Sequence, residues 1–289
     1  MLRLFTDTDC DVTPEVAREY GYELISMPYS IDGKTVYPYV DFEKFDSKGF
    51  YDTLRAGALP NTSAISREKY VEIFEPFFAK GDDILYVHFS RAMTATFDAM
   101  DKAVEELKSR WPERKFYEID AKGISITGLA IVYEVGDMVK AGKPVEEILE
   151  WAKTEVDRFA TYFFADDLKF FKHSGRVSGL AATMGTLLGV RPIIYMSAEG
   201  KMVSIGKERG RAKAIDRLFA YMDELGDDVK AHRILVASAD VDEITSVICG
   251  RLREKFGSDA RIINVQVNPT AGSHCGPNAL GICFHAIHR

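Results

Sequence analysis

Short apolar runs alternate with segments of helical period along most of this chain, and this alternation is the strongest constraint on its fold. In one such segment Phe97, Met100, Val104 and Leu107 are three or four residues apart, as on one face of a helix. The pattern predicts an α/β protein. Strands are predicted at residues 2–6, 23–31, 84–89, 115–119, 161–165, 192–196, 234–238, 261–267 and 282–287.

The pattern changes near residue 160. Before it, strands and helices alternate with spacing that suits a parallel sheet. After it, the apolar runs 192–196 and 202–205 flank the polar stretch SAEGK, which predicts a hairpin. We therefore expect a two-domain α/β protein. Residues 1–160 form a parallel-sheet α/β/α domain, and residues 161–289 form a smaller domain with a mixed sheet.

Charge and composition exclude several classes of partner. The 44 acidic and 37 basic residues give a net charge of −7, and no basic tract is present to bind nucleic acid or an anionic membrane. The opening residues are acidic where a signal peptide would be apolar, and no apolar run is long enough for a membrane span. The four cysteines form no C-x-x-C pair. We expect a cytoplasmic protein without integral membrane segment, metal or cofactor.

The stretch TDTDCDV follows the first predicted strand and carries Asp7, Asp9 and Asp11. It lacks the glycine and glutamate of a calcium-binding EF-hand loop. Two acids after a strand are also used by magnesium-dependent aspartyl-phosphate phosphatases of the haloacid dehalogenase type, with Asp7 and Asp9 as the reactive pair. The further acids of such a site are missing, because Asp82 and Asp83 precede their strand. Capping of a tight turn is the favoured interpretation.

Two loops place hydroxyl groups beside predicted helices. In NTSAIS, residues 61–66, Ser66 is the expected N-cap, which leaves Thr62 and Ser63 as neutral donors. In FSRAMTAT, residues 89–96, Ser90 and Thr94 lie between a strand and a helix. The free N–H groups of a helix N-terminus make such a place suitable for a carboxylate or phosphate.

The stretch HCGPNALG, residues 274–281, raises the question of a His–Cys catalytic pair. If the segment is extended, the side chains of His274 and Cys275 point to opposite faces, so the imidazole cannot activate the thiol. A turn at residues 276–277 would alter this geometry. His274 then serves either anion binding or a structural role. The segments KHSGRVSG and KERGRAK combine arginine with glycine, an arrangement suited to anion contact at Arg176 and Arg209.

Taken in order, these segments resemble the DegV family of bacterial fatty-acid-binding proteins. FTDTDCDV is similar to its T-D-S-x-x-D-[LV], and PNTSAIS to its T-S-Q-P-S loop. FSRAMTATF resembles S-S-x-L-S-G-T-Y, LKFFKHSGRVSG resembles L-x-Y-L-x-x-G-G-R-[IL]-S, and KERGRAKAI resembles R-x-R-x-K-A. HCGPNALG is similar to H-x-G-P-G-A-L-G. The resemblance runs from residue 4 to residue 281.

The resemblance implies a two-domain protein that is not itself an enzyme and that holds one long-chain fatty acid in an apolar tunnel between the domains. It further implies a separate fatty acid kinase subunit as partner, which phosphorylates the bound carboxylate. Arg176 and Arg209 would face this kinase and its phosphate. The residues implied as carboxylate ligands are Thr62, Thr94 and His274, with Ser63 and Ser90 at neighbouring positions.

The chain departs from the family pattern at Arg91, which stands where a small residue is usual. We expect Arg91 to reshape the pocket or to pair with Asp7 or Asp9. Asn278 similarly replaces a glycine of the last motif.

Overall fold

The computed structural model describes residues 1–179 and 189–289. Helices and strands alternate through most of this part of the chain. The helices are α1 (Pro14–Tyr20), α2 (Ser47–Arg55), α3 (Arg67–Ala79), α4 (Thr96–Arg110), α5 (Ile126–Lys140), α6 (Val145–Glu155), α7 (Lys169–Ser174), α8 (Arg211–Leu225), α9 (Asp242–Phe256) and α10 (Pro269–Cys275). The strands are β1 (Leu2–Asp7), β2 (Tyr22–Ile25), β3 (Tyr29–Ile31), β4 (Lys34–Val36), β5 (Asn61–Thr62), β6 (Asp83–His88), β7 (Phe116–Asp120), β8 (Phe159–Phe164), β9 (Val177–Ser178), β10 (Val190–Met196), β11 (Met202–Arg209), β12 (Ile234–Ser238), β13 (Ile262–Gln266) and β14 (Leu280–His285).

The N-terminal region is built on a parallel sheet in the order β2-β1-β6-β7. The carboxyl ends of β1 and β6 therefore meet at one edge, where open α/β sheets place their ligands. A separate antiparallel sheet, in the order β4-β3-β5, pairs Thr62 with Tyr29. Ser66 caps α3 as predicted, because its hydroxyl accepts from the Lys69 N–H at 3.2 Å.

The C-terminal region has a larger, mixed sheet in the order β13-β12-β14-β8-β10-β11-β9. The predicted hairpin is confirmed as the antiparallel pair β10 and β11. One side of this sheet is covered by α8 and α9, whose buried residues include Leu218 and Ile248. The fold is thus α/β, with a parallel-sheet N-terminal region and a mixed-sheet C-terminal region.

Helix α5 connects the two regions. It packs on β6 of the parallel sheet and also on β8, β12 and β14 of the mixed sheet. Its sequence, ITGLAIVYEVGDMVK, is apolar on nearly all sides over its first three turns, and those turns are buried. A helix that is apolar all round is stable only when it is enclosed. The start of α5 is therefore held between the sheets, and the pockets described below open there.

One prediction of secondary structure was wrong. The run 23–31 is two strands, β2 and β3, which belong to different sheets and are separated by a segment that contains Pro28. Proline has no N–H for a strand ladder. The segment at His274, whose conformation the sequence left open, is helical, as described below. No helix in residues 1–179 and 189–289 is long and apolar enough to cross a membrane.

Candidate functional site

Two pockets meet at Ile124 and His274, which line both of them. The polar pocket is formed by the turns after β1, β5 and β6 together with α10 and Arg176. The apolar pocket lies between the start of α5 and the mixed sheet. The polar pocket is lined by Asp9, Met27, Thr62, Ser63, Ala64, Phe89, Met93, Thr94, Ala95, Thr96, Ile124, Arg176, Thr270 and His274.

Helix α10 sets the position of His274. Asn268 caps its N-terminus by accepting from the Ala271 N–H at 2.9 Å, and Pro269 occupies the first turn. The helix ends at Gly276, whose φ of 70° is readily adopted only by a residue without a side chain. The segment is therefore not extended, so the argument against a His–Cys pair from strand geometry does not apply. The last turn of α10, rather than a turn at residues 276–277, directs the imidazole into the pocket.

The His274 imidazole has one partner and one unused nitrogen. Its Nε2 lies 3.2 Å from the Thr62 hydroxyl oxygen, whereas its buried Nδ1 has no partner among the residues that the structure describes. Burial lowers the pKa of His274 to about 4, with a further contribution from Arg176 and then from His173. The ring is therefore neutral at pH 7. One nitrogen can exchange a hydrogen bond with Thr62 while the other remains available to a ligand.

Three predicted hydroxyl residues, Thr62, Ser63 and Thr94, line the polar pocket with His274. The Thr94 hydroxyl accepts from the Thr96 N–H at 3.1 Å, so it supports the start of α4 and can still donate its own proton. Each of these groups is neutral. The site can therefore surround an anion with donors without burying several charges of its own.

Ser90 is placed differently. Its buried hydroxyl donates to the Gly200 carbonyl at 2.7 Å and accepts from the Ala92 N–H at 3.2 Å. It thereby joins the end of β6 to the turn between β10 and β11. Ser90 lines neither pocket, and its hydrogen bonds give it a structural role.

Of the two arginines predicted for anion contact, only Arg176 lies at the polar pocket. Arg176 lines the polar pocket, and its exposed guanidinium donates to the Ser174 carbonyl at 2.6 Å. Arg209 is exposed at the end of β11 and lines neither pocket. Arg91, expected to contact the pocket or Asp7 or Asp9, instead pairs with Asp101 at 2.8 Å and Glu118 at 2.5 Å.

The apolar pocket continues from His274 into the space beneath α5. Its lining comes from α5, α7, α10 and the mixed sheet, and two of its members, Met196 and Met202, are flexible side chains. The pocket is lined by Ile124, Ser125, Ile126, Thr161, Phe163, Phe171, Met196, Met202, Ala237, Val267, Ala271, His274, Cys275, Ala279, Leu280 and Gly281. No signal in the sequence separates these residues from the core, because a tunnel wall and a core face have the same periodicity.

The apolar pocket is the tighter of the two, with a cavity volume of about 60 Å³ against about 170 Å³ for the polar pocket. A chain of many methylenes can fill it only if lining side chains take other rotamers. Met196 and Met202 suit this adjustment, since methionine is unbranched and adapts to irregular space.

Asp7 and Asp11 serve the structure of the turn after β1. Asp7 accepts from the Tyr86 hydroxyl at 3.0 Å and from the Phe89 N–H at 3.2 Å, while Asp11 accepts two bonds from Asn268 and one from Ser125. Burial raises the pKa of Asp7 to about 7 and that of Asp11 to about 6. Among residues 1–179 and 189–289, no group of three or more His, Cys, Asp or Glu side chains is arranged to hold a metal. The hydrogen bonds of Asp7 and Asp11 agree with the favoured interpretation, in which these acids hold the turn.

Cys275 is unsuited to nucleophilic chemistry. Its buried thiol donates to the Gly276 carbonyl at 3.4 Å, and burial raises its pKa to about 12. A thiol must ionise to attack, so this residue is unreactive at neutral pH. The neighbouring imidazole contacts Thr62 instead.

Comparison with known proteins shows the family of the chain. Residues 1–286 match a family model described as an uncharacterised protein of the DegV family. The chain is 28% identical to the DegV domain-containing protein CPE0026 of Clostridium perfringens over 281 residues, covering 97% of this chain and 96% of that protein.

Solved structures share the fold. A DegV family protein from Thermus thermophilus, described by its fatty acid binding, aligns with a TM-score of 0.86 at 21% identity and covers 99% of both chains. DegV from Bacillus subtilis, described as a fatty acid binding protein, aligns with a TM-score of 0.83 at 24% identity over 99% of both chains. A protein from Eubacterium eligens, loaded with heptadecanoic acid, aligns with a TM-score of 0.84 at 20% identity and covers 99% of this chain and all of that one. Because the family model spans residues 1–286, this chain belongs to the DegV family.

Proposed function

We propose that this protein binds one long-chain fatty acid, with its carboxylate in the polar pocket and its tail in the apolar pocket. The observation that carries the proposal is the junction at His274, where neutral hydrogen-bond donors on one side meet an apolar channel on the other. A fatty acid has the same division into an anionic head and an apolar tail. The fatty-acid complexes known for proteins of this fold support the same ligand.

The head group would be held by Thr62, Ser63, Thr94 and His274. The unpartnered Nδ1 of His274 can donate to one carboxylate oxygen, while Nε2 accepts from Thr62. In the other tautomer Nε2 donates to Thr62, whose hydroxyl then donates to the ligand. Either arrangement orients the head group with a neutral ring. Ser90 contributes indirectly, by holding the turn that ends at Thr94.

The tail would supply most of the affinity. At about 0.8 kcal/mol per buried methylene, a tail of roughly 15 methylenes contributes on the order of 12 kcal/mol before the costs of ordering. The domains proposed at 1–160 and 161–289 would enclose this tail between them. The lining supports this position, since it combines Ile124 and Ile126 of the N-terminal region with Phe163 and Leu280 of the mixed sheet.

We further propose that the protein presents the carboxylate to a separate fatty acid kinase, which transfers a phosphoryl group to it. Arg176 lies at the polar pocket, where an exposed guanidinium can approach the head group and a phosphate. Arg209 lies outside the pocket on an exposed strand end and would contact the kinase surface. Arg209→Ala should leave fatty-acid affinity unchanged and slow acyl-phosphate formation when kinase and ATP are added. A normal rate would remove Arg209 from the proposed contact.

The binding proposal is tested with delipidated protein and added oleate, measured by displacement of a fluorescent fatty acid. His274→Ala and Thr94→Val should weaken binding, because each removes a proposed head-group partner. Ser273→Ala, at the neighbouring position on α10, lines neither pocket and is the matched control, which should bind within about twofold of the wild type. Equal affinity in all four proteins would refute the head-group assignment.

A further inference from the structure

In residues 1–179 and 189–289, the Asp9 side chain, unlike those of Asp7 and Asp11, has no structural role in the turn after β1 that its hydrogen bonds would show. It is 4% exposed, it lines the polar pocket, and its Oδ1 has no hydrogen-bond partner within the described part of the chain. Its backbone is fixed, because its N–H donates to Asp7 at 3.0 Å and its carbonyl accepts from the Ser125 N–H at 2.6 Å. A second unpartnered buried atom, Nδ1 of His274, belongs to the same pocket.

The surroundings of Asp9 favour its neutral form. Burial raises its pKa well above the usual value, and the neighbouring carboxylates of Asp7 and Asp11 raise it further. An isolated buried carboxylate is costly, whereas a buried carboxylic acid needs only a partner for its proton. The other charged or titratable groups near Asp9 are Cys10 on the same segment, Tyr70 on α3, His274 on α10 and Arg176 at the pocket.

Thr270 on α10 restricts how Asp9 can bond. Its hydroxyl lies beside the Asp9 carboxyl and donates its only proton to the Met27 carbonyl at 3.0 Å. While this bond is made, the Thr270 oxygen can only accept from Asp9. An ionised Asp9 would find an acceptor there, whereas a protonated Asp9 has a proton to donate, either to Thr270 or to a ligand in the pocket. A Thr270 hydroxyl that turns to Asp9 instead donates to the carboxylate and lowers its pKa, an effect smaller than that of burial.

We propose that Asp9 is a further head-group ligand, which as a neutral carboxylic acid donates its proton in a hydrogen bond to the carboxylate of the bound fatty acid. This inference rests on the proposed function. Hydrogen bonds from an acid O–H to a carboxylate are among the short, strong ones, so the contact favours an anionic head group over a neutral one. It also makes binding depend on pH. Once Asp9 ionises, two carboxylates face each other in a buried pocket and the affinity for the fatty acid falls.

The test compares the wild type, Asp9→Leu and Asp9→Asn as delipidated full-length proteins with oleate, from pH 6 to pH 9.5. The ratio of variant to wild-type Kd at each pH removes the ionisation of oleate itself from the comparison. Asp9→Leu should bind oleate at least about tenfold more weakly at pH 6. Asp9→Asn keeps a donor that cannot ionise, so it should bind nearly as well at pH 6 and more tightly than the wild type at pH 9.5. Thermal melting confirms that each variant is folded.

Asp7→Asn is the matched control, since it makes the same change two residues away at a side chain that lines neither pocket. It should keep the wild-type affinity at pH 6 and should still lose affinity as the pH rises, from a lower pH than the wild type, because the Asp7 charge no longer raises the pKa of Asp9. Oleyl alcohol, which lacks a carboxylate, should bind equally to the wild type and to Asp9→Asn at pH 9.5. The inference is overturned if Asp9→Leu binds oleate within twofold of the wild type, if Asp9→Asn shares the wild-type pH profile, or if Asp7→Asn reproduces the Asp9→Asn result. A wild type that does not bind oleate refutes the proposed function itself.

Discussion

Replacing Thr62 with valine removes the hydroxyl that lies 3.2 Å from Nε2 of His274 and leaves the shape of the side chain nearly unchanged. In the proposed complex this deletes either a donor to the carboxylate or the hydroxyl that orients the imidazole donating to it, and it leaves Nε2 without its partner. A hydrogen bond to a charged group contributes about 1.5–3 kcal/mol. Thr62→Val should therefore raise the Kd for oleate by about 10- to 150-fold. Binding should persist, because the buried tail is unaffected.

The assay is displacement of a fluorescent fatty acid at pH 7, with oleate and oleyl alcohol as competitors. Thr35→Val is the matched control. It makes the same substitution in the same three-stranded sheet, β4-β3-β5. The Thr35 hydroxyl lies 3.1 Å from the Ser30 hydroxyl, and Thr35 lines neither pocket. Thr35→Val should bind oleate as tightly as the wild type does. The Thr62→Val substitution should weaken the binding of oleyl alcohol less than it weakens the binding of oleate. A Thr62→Val protein that binds oleate within twofold of the wild type would refute the reasoning.

Three further predictions concern α10 and its surroundings. The ring protons of His274 should show no NMR titration between pH 5.5 and 8, because its pKa is lowered to about 4; a midpoint near 6.5 would contradict its burial. Because the unfolded chain takes up a proton at His274 near pH 6.5 and the folded protein only near pH 4, the free energy of unfolding should fall as the pH drops from 6.5 towards 4. Gly276→Ala should lower Tm more than Gly21→Ala. Both positions have φ near 70°, but only at Gly276 would the new Cβ lie 2.1 Å from Phe170. An equal decrease in Tm for the two variants would argue against the clash. Cys275 should resist iodoacetamide at pH 8 until the protein is unfolded, because its pKa is raised to about 12, and rapid labelling would show an accessible thiolate.

The sequence predicted the α/β class of the fold correctly, but it predicted less of the local geometry of the site. The alternating pattern correctly gave the strand at residues 234–238 and the hairpin around SAEGK, because both depend on local apolar periodicity. The helix that carries His274 was missed. Its sequence, PTAGSHC, has no apolar stripe, although Asn268 and Pro269 are a recognisable start signal.

The residues of the polar pocket were easier to find than those of the apolar pocket. Thr62, Thr94 and His274 stand out as polar groups on loops and helix ends, and the structure brings them to one pocket. Met196 and Met202 do not stand out, because a residue that faces a tunnel and one that faces the core are equally apolar. Only the arrangement of α5 between the two sheets distinguishes them.

The importance of Asp9 was also hidden in the sequence. Three alternating acids suggested either metal chemistry or turn capping, and neither interpretation separates one acid from the others. In the structure Asp7 and Asp11 accept hydrogen bonds from residues outside the turn, whereas Asp9 is buried in the pocket with an oxygen that has no partner in the described residues. This difference depends on Tyr86 and Asn268, which lie far away in sequence.

Fatty-acid binding is tested most directly by mass spectrometry of the protein purified under mild, detergent-free conditions. The native mass should exceed the sequence mass by that of one long-chain fatty acid per chain, and organic extraction should release the same fatty acid. Protein that carries no fatty acid as purified should take up one equivalent of added oleate or palmitate. A chain that carries no fatty acid and takes up neither ligand would contradict the account.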